Sequence, residues 1–379
     1  MHSKKPNFWW RLMMHGGNNQ TCRSQHLLES LLTAIPDDPA HLKELCGTVE
    51  DWDELFNRAL THGVESFLYH HLTENGFTLP PLMAERTERW LKVRDLWQSH
   101  SQSALDEALQ ILYAASVPTV VLKGPTLGER LYPTPHTRPS ADLDLLVAPA
   151  DLDRATAALK NLGYRSGNEA QARFLRRYHY HTILSRSCPP VIELHFRLSN
   201  SFGVEIQAED FLSRAGKYRT AQGAIAHILS PEDEMLYLSV HAAGHRFIRL
   251  SWLCDINLLV RHYPSLDWAT LVARARSLHL FTALLFTCQT LHSRLGTETP
   301  LSEATSQGIR FRAANLLLAA TERQPDPSRR SLLGKIAFTA VLCDKPGIAL
   351  EFLQRQLLLI ARRRAHRHFP SHAPEEWSY

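Results

Sequence analysis

Apolar residues recur at helical spacing through most of the chain, and one internal region alternates instead. "QHLLESLLTAI", from Gln25, predicts a helix that Pro36 and Asp37–Asp38 end. "TVEDWDELFNRALTHGVESFLYHHLTENG" predicts a second, with Thr48 as N-cap, acidic residues in its first turn and Gly76 at its end. "PPLMAERTERWLKVRDLWQSHSQSALDEALQILYAA" reads as one long amphipathic helix opening on a proline pair. At Val117 the period changes. "VPTVVLKG", "DLDLLV", "HTILSR" and "PPVIELHFRL" are short strand candidates, and "PADLDRATAALKNLGY" is a helix that Gly163 terminates. Helical spacing returns at "SPEDEMLYLSVHAAGHRF", where Ser230, Pro231 and Asp233 form a strong start. It continues through "IRLSWLCDINLLVRHY", "DWATLVARARSLHL", "FTALLFTCQTLHSRLG", "SEATSQGIRFRAANLLLAATE" and "GIALEFLQRQLLLIARRRAHRH". No repeat at a fixed period emerges. The pattern predicts an α+β protein: an N-terminal helical region over 20–116, a small mixed α/β core over 117–215 and a C-terminal helical region over 216–370.

Composition changes this picture little. With 379 residues, 44% hydrophobic and 21% charged, the chain matches an ordinary globular protein with core enough to need no metal or disulfide staple. A formal charge of +4 suits a polyanionic ligand without demanding one. The six cysteines (Cys22, Cys46, Cys188, Cys254, Cys288, Cys343) form no CxxC pair, so a reducing, cytoplasmic setting and small-core-residue roles are expected. The N-terminal apolar run is cut by Arg11 and is too short for a secretory signal; Phe8, Trp9 and Trp10 could touch a membrane surface. No stretch reaches about 20 uninterrupted apolar residues, so no membrane span is expected.

The chemistry concentrates in the alternating region. In a strand, residues i and i+2 share a face, so Asp142 and Asp144 project together while Leu143, Leu145 and Val147 turn away. Two adjacent carboxylates repel unless something positive lies between them. A hard divalent cation is the simplest such partner, and magnesium suits carboxylates completed by substrate phosphates. Upstream, Lys123–Gly124 opens "PTLGERLY", a strand-to-helix turn at which a glycine lets phosphate approach the backbone. Lys123 adds charge, Thr126 a hydroxyl, and Arg138 a bidentate fork. Glu193, two residues before His195, is an acid on a strand whose opposite face (Ile192, Leu194, Phe196) is apolar.

These residues, "LKG…R…S-x-DLDLLV" followed by a helix ending "LGY" and later "ELH", resemble the uncharacterised nucleotidyltransferase family of the polymerase-β-type superfamily. "DWDELFNRALTHGV" and "HAAGHRFIRLSWLCDINLLV" are similar to its flanking helical motifs, so the resemblance spans about two-thirds of the chain. It implies transfer of a nucleoside monophosphate from an NTP such as ATP to a hydroxyl or similar acceptor, with two magnesium ions, Mn²⁺ being the alternative metal. By position, Gly124 matches the phosphate-turn glycine, Asp142 and Asp144 the metal-binding aspartates, and Glu193 the third carboxylate. Two departures stand out. Pro125 occupies the place of the superfamily's serine and lacks an N–H, and Glu193 is longer than the usual aspartate. The acceptor stays open between a small molecule, a peptide or protein, and RNA. A non-catalytic nucleotide-binding regulatory module of the same fold is the alternative.

His241 and His245 share a helix face, with Arg249 a turn further on. Their spacing can chelate zinc, but no HExxH glutamate lies between them. With His195 they are candidate acceptor or phosphate contacts, and a packed helix face is the simpler reading. Asp255 is expected to pair with Arg246 or Arg249. The basic run "ARRRAHRH" (361–368) reads as a solvated helix end, without the aromatic interleaving of a single-strand binder, so nucleic acid is not specifically indicated.

Overall fold

The computed structural model describes residues 19–34, 39–167, 175–177, 179–199, 201–302, 308–322 and 332–365. The aromatic N-terminal trio, the break at 36–38 and the irregular tail lie outside them, as do the side chains of the basic run. Helices α1 (Asn19–Ala34), α2 (Pro39–Gly47), α3 (Trp52–His62), α4 (Glu65–Glu74) and α5 (Pro81–Ala114) come first. Helices α6 (Pro125–Leu131), α7 (Leu152–Lys160) and α8 (Glu209–Arg214) are interleaved with strands. Helices α9 (Pro231–Gly244), α10 (Leu250–His262), α11 (Trp268–Ser277), α12 (Phe281–Leu295), α13 (Ile309–Glu322), α14 (Leu332–Leu342) and α15 (Pro346–Ala365) follow. The strands are β1 (Val120–Val121), β2 (Asp142–Leu146), β3 (His181–Leu184), β4 (Val191–His195), β5 (Arg197–Ser199), β6 (Ile206–Gln207), β7 (Gly216–Arg219) and β8 (Ile225–Ile228).

Six of the strands form one mixed sheet in the order β3-β4-β2-β1-β8-β7, which makes the fold α+β with helices flanking a small sheet. Strand β2 is its centre: it runs parallel to β4 and antiparallel to β1. The β7–β8 hairpin continues the sheet past residue 215, where only helix was expected.

Each face of the sheet meets a different core. Leu143, Leu145 and Val147 of the β2 segment join Ile192, Leu194 and Phe196 in an apolar layer against Leu105, Ala108 and Leu112 of α5 and Ala155 and Leu159 of α7. Val120, Leu122 and Leu146 turn the other way, into the larger core of the helical regions. Asp142, Asp144, Glu193 and His195 share that second side, because alternation leaves them no other.

Local signals explain most helix limits. Ser230 caps α9, its hydroxyl accepting from Asp233 N at 3.3 Å with Pro231 next in sequence. The segment read as one helix from Thr48 is two. Asp51, not Thr48, is the cap, accepting from Glu54 N at 2.9 Å, and Gly63 breaks the run at φ 65°. A side chain there would be strained, so the glycine ends α3 and lets α4 start in a new direction. Of the five cysteines described, Cys46, Cys254, Cys288 and Cys343 are buried and Cys188 is exposed, all as free thiols. No helix among the described residues is long and apolar enough to cross a membrane.

Candidate active site

The strand register sets the site. Asp144 stands opposite Glu193 on parallel β2 and β4, with Asp142 one pleat earlier. One oxygen of each of the three carboxylates falls within 4.8 Å of the others. The turn after β1 brings in Lys123, whose Nζ lies 3.5 Å from Asp142 Oδ2 and 2.7 Å from Asp144 Oδ2. The nearer approach falls outside hydrogen-bonding geometry, so it is an ion pair rather than a directed bond. Burial alone would push the Lys123 ammonium toward neutrality; the charges of Asp142 and Asp144 outweigh it and hold its pKa well above the ordinary value. Three carboxylates against one ammonium leave the cluster net negative, with Asp144 wholly buried beneath it.

His195 lies under the acids, with Nε2 3.3 Å from Asp144 Oδ1 and 3.6 Å from Glu193 Oε2. Burial opposes its protonation, but the hydrogen bond to Asp144 and the negative charges of Asp144 and Glu193 prevail and raise its pKa. Glu193 moves the opposite way. Burial favours its neutral form, yet the His195 contact and the Lys123 charge leave its pKa lowered.

Gly124 is the turn that makes this approach possible. Its φ of 86° suits glycine, and a Cβ would come to 3.3 Å from Ser140 Oγ and 3.5 Å from the Asp142 carbonyl. Pro125 opens α6, and Thr126 is buried in its first turn. Arg130 clamps α6 to Glu234 of α9. On the other side of the turn, Ser140 Oγ donates to the Asp142 carbonyl at 2.9 Å, and the Trp97 indole of α5 donates to the Ser140 carbonyl at 3.0 Å.

Arg138 is placed differently from the free phosphate fork expected of it. Its Nε and Nη2 each donate to Asp255 of α10 at 2.8 Å, while Nη1 reaches the Gly124 carbonyl at 3.3 Å. Asp255, expected to pair within its own segment, therefore has both oxygens engaged by Arg138, and one also accepts from the Tyr132 hydroxyl at 2.7 Å. The guanidinium is buried and ties the glycine turn, the loop before β2 and α10 together.

Helix α9 crosses the polar side. Tyr237 and His241, one turn apart, lie within electrostatic range of Lys123. The ring of His241 is 4.7 Å from that of His245, and both pack on Trp252, at 5.2 and 5.1 Å. Burial holds both imidazoles neutral, His245 down to about 3 with Lys335 and Lys123 adding to the effect. Arg249 is exposed at the start of α10. Sequence reasoning missed Tyr180, Tyr237 and His181. Tyr180 sits 5.4 Å from His195, and His181 is paired directly across from it. The available signal was "YHYH" running into a strand, together with a tyrosine four residues before His241.

The solution structure of the antibiotic-resistance factor ANT(2'')-Ia is similar over 48% of this chain and 93% of its own, at 14% identity and a TM-score of 0.35. No curated protein sequence matches significantly. The family model described as uncharacterised nucleotidyltransferase matches residues 48–296, which takes in α3 to α12 and every strand of the sheet. With that match extending over more than half of its length, the chain belongs to the uncharacterised nucleotidyltransferase family and is a nucleotidyltransferase.

Proposed function

We propose that the protein moves a nucleoside monophosphate from an NTP to an acceptor hydroxyl, using Asp142, Asp144 and Glu193 to hold divalent magnesium. The convergence of these three carboxylates around one point is the observation that carries the reading. The donor set fits: three hard oxygen ligands, net negative beside a single ammonium, suit Mg²⁺, with Mn²⁺ as a substitute. Bound there, the metal would neutralise phosphate charge and lower the pKa of the attacking hydroxyl.

The remaining chemistry belongs to the chain. The acceptor oxygen attacks the α-phosphorus, its new P–O bond forming as the bond to the β-phosphate oxygen breaks and pyrophosphate leaves. Glu193, kept ionised, receives the acceptor's proton at a carboxylate oxygen. Lys123 moves from the aspartates toward the phosphates as substrate arrives and offsets their charge. Gly124 admits the triphosphate to the turn. Arg138 acts as a positioning residue, holding that turn against β2 through Asp255. His195 orients Asp144 and Glu193, and His241, His245 and Arg249 line the approach for the acceptor.

The test is magnesium-dependent pyrophosphate release with each NTP and three acceptor pools: small metabolites, peptides and proteins, and RNA. Asp142→Asn should lower it roughly a thousandfold, the several kcal/mol that metal-held charge supplies. Undiminished release by that variant overturns the assignment. The regulatory-module reading draws support from Pro125, which removes an N–H from the phosphate turn. It predicts NTP-induced stabilisation with no pyrophosphate from any pool.

A further inference from the structure

On the side of Glu193 away from Asp142, strand β3 adds something that the carboxylate cluster does not use. Antiparallel pairing puts His181 directly opposite His195, and Ile183 opposite Glu193. The pleat therefore sets His181, His195 and Glu193 on one side of the sheet. A nitrogen of each ring and an oxygen of Glu193 lie within 4.8 Å of one another. The two rings stand 5.1 Å apart at 39°, too tilted to be a stacked pair. Tyr180 covers them, 4.5 Å from His181 and 5.4 Å from His195.

Nδ1 of His181 and Nδ1 of His195 are both buried with no hydrogen-bond partner. A buried, unpartnered polar atom carries a penalty of about 1–3 kcal/mol, and two of them side by side call for a reason. The carboxylate contact at His195 Nε2 supplies half of one: an imidazole that binds metal through one nitrogen is ordinarily fixed by a carboxylate at the other.

We infer that His181, Glu193 and His195 form a second metal site, selective for a borderline divalent ion of the zinc or cobalt type, with Glu193 shared between it and the carboxylate cluster. Two imidazoles and one carboxylate are the donors such ions prefer, whereas the three oxygens next door suit magnesium. Ligands about 2.0 Å from a tetrahedral ion stand about 3.3 Å apart, so closing the set takes side-chain rotation and no movement of the strands. The site stands on its own ligand set and shares Glu193 and His195 with the nucleotidyl-transfer reading. An ion held here would fix the orientation of that residue.

The full chain, freed of metal by chelation, is titrated with Co²⁺ and read by its visible ligand-field absorption. A band saturating at one ion per chain is expected. His181→Gln should weaken binding by more than the roughly 10–100-fold that outer-shell changes cost. Asp142→Asn should leave the band in place while abolishing pyrophosphate release, which separates this site from the magnesium cluster. X-ray absorption fine structure of the zinc-loaded wild-type protein needs no variant, and two imidazoles in the ligand shell are the expected result. An oxygen-only shell, no stoichiometric binding, or a band untouched by His181→Gln overturns the proposal.

Discussion

The two faces of β2 are offset by one residue and face opposite energetic demands. Leu143 and Leu145 are buried against α5 and α7, each contributing about 1.5–3 kcal/mol by leaving water. Asp144, between them, is just as buried on the other side, where its charge is costly and Lys123 and His195 offset it. One face is built by a non-directional effect that any well-sized apolar residue satisfies. The other is built from pairs that fail when one member is removed. The apolar face makes the strand; the polar face uses the rigidity that results.

The sharpest way to break this comparison is to put a carboxylate on the wrong side. Leu145→Asp places a charge in the apolar layer that Leu145 shares with Leu105, Ala108 and Leu159. The cost exceeds about 4 kcal/mol, enough to remove a cooperative unfolding transition in calorimetry. Asp144→Asn, one residue away, should keep that transition and lose pyrophosphate release.

The same contrast explains what could be read from the sequence. Period-2 alternation in "DLDLLV" and "VIELHF" places Asp142, Asp144 and Glu193 on one side, because that inference needs only the neighbours in each strand. His181 was passed over because its place depends on antiparallel pairing with β4, which no local pattern states. Arg138 read as a free fork because its partner, Asp255, lies 117 positions away on α10. The β7–β8 hairpin escaped notice for another reason. "GKYR" is mostly exposed, and β8 reaches the apolar layer through the small Ala226 alone, which makes a weak local signal. At Thr48 two cap-like residues competed, and Asp51 won by lying next to the first helical turn.

Arg138 sharpens the comparison from the paired side. Arg138→Met leaves Asp255 buried with the Tyr132 hydroxyl as its remaining partner from that network. Removing one member of a buried ion pair costs about 3–5 kcal/mol, so the melting temperature should drop by roughly 5–10 °C. A loss near zero would mean that the pair behaves as a surface bridge and does not hold the glycine turn. Lys123→Met is expected to cost somewhat less, about 2–4 kcal/mol, because Asp142 and Glu193 remain partly exposed to water. This loss should be reversible. With the ammonium gone, millimolar Mg²⁺ or Mn²⁺ takes over its neutralising role, and the metal-induced rise in melting temperature should exceed that of the wild type. A variant as indifferent to divalent ions as to sodium would show that the polar face does not bind cations.

The smallest effect is a pH dependence carried by histidines that pack outside the apolar layer, His71 against Phe67, and His241 and His245 against Trp252. His71 and His245 are held neutral in the fold, chiefly by burial, with pKa values down to about 4 and about 3, and burial holds His241 well below its ordinary range too. Between about 6.5 and those values the unfolded chain binds protons that the folded chain refuses, so stability falls as the pH is lowered through that window. Each histidine contributes about 1.4 kcal/mol per pH unit at most. His195 has the opposite sign. Its raised pKa gives stability that is complete below about 6.5 and is lost as the pH rises through its folded value. Glu193, lowered, gives stability above about 4.5 that disappears only in stronger acid, while the raised carboxyl of Glu234 opposes the neutral histidines in the lower part of the interval from about 6.5 to 4.5. His71→Phe, on α4 and away from the acids, should flatten the denaturant-derived stability slope across that interval and leave magnesium-dependent pyrophosphate release unchanged. An unchanged slope would mean that His71 protonates as readily in the fold as in the open chain, and the acid sensitivity would then rest on the α9 histidines that cover the polar face.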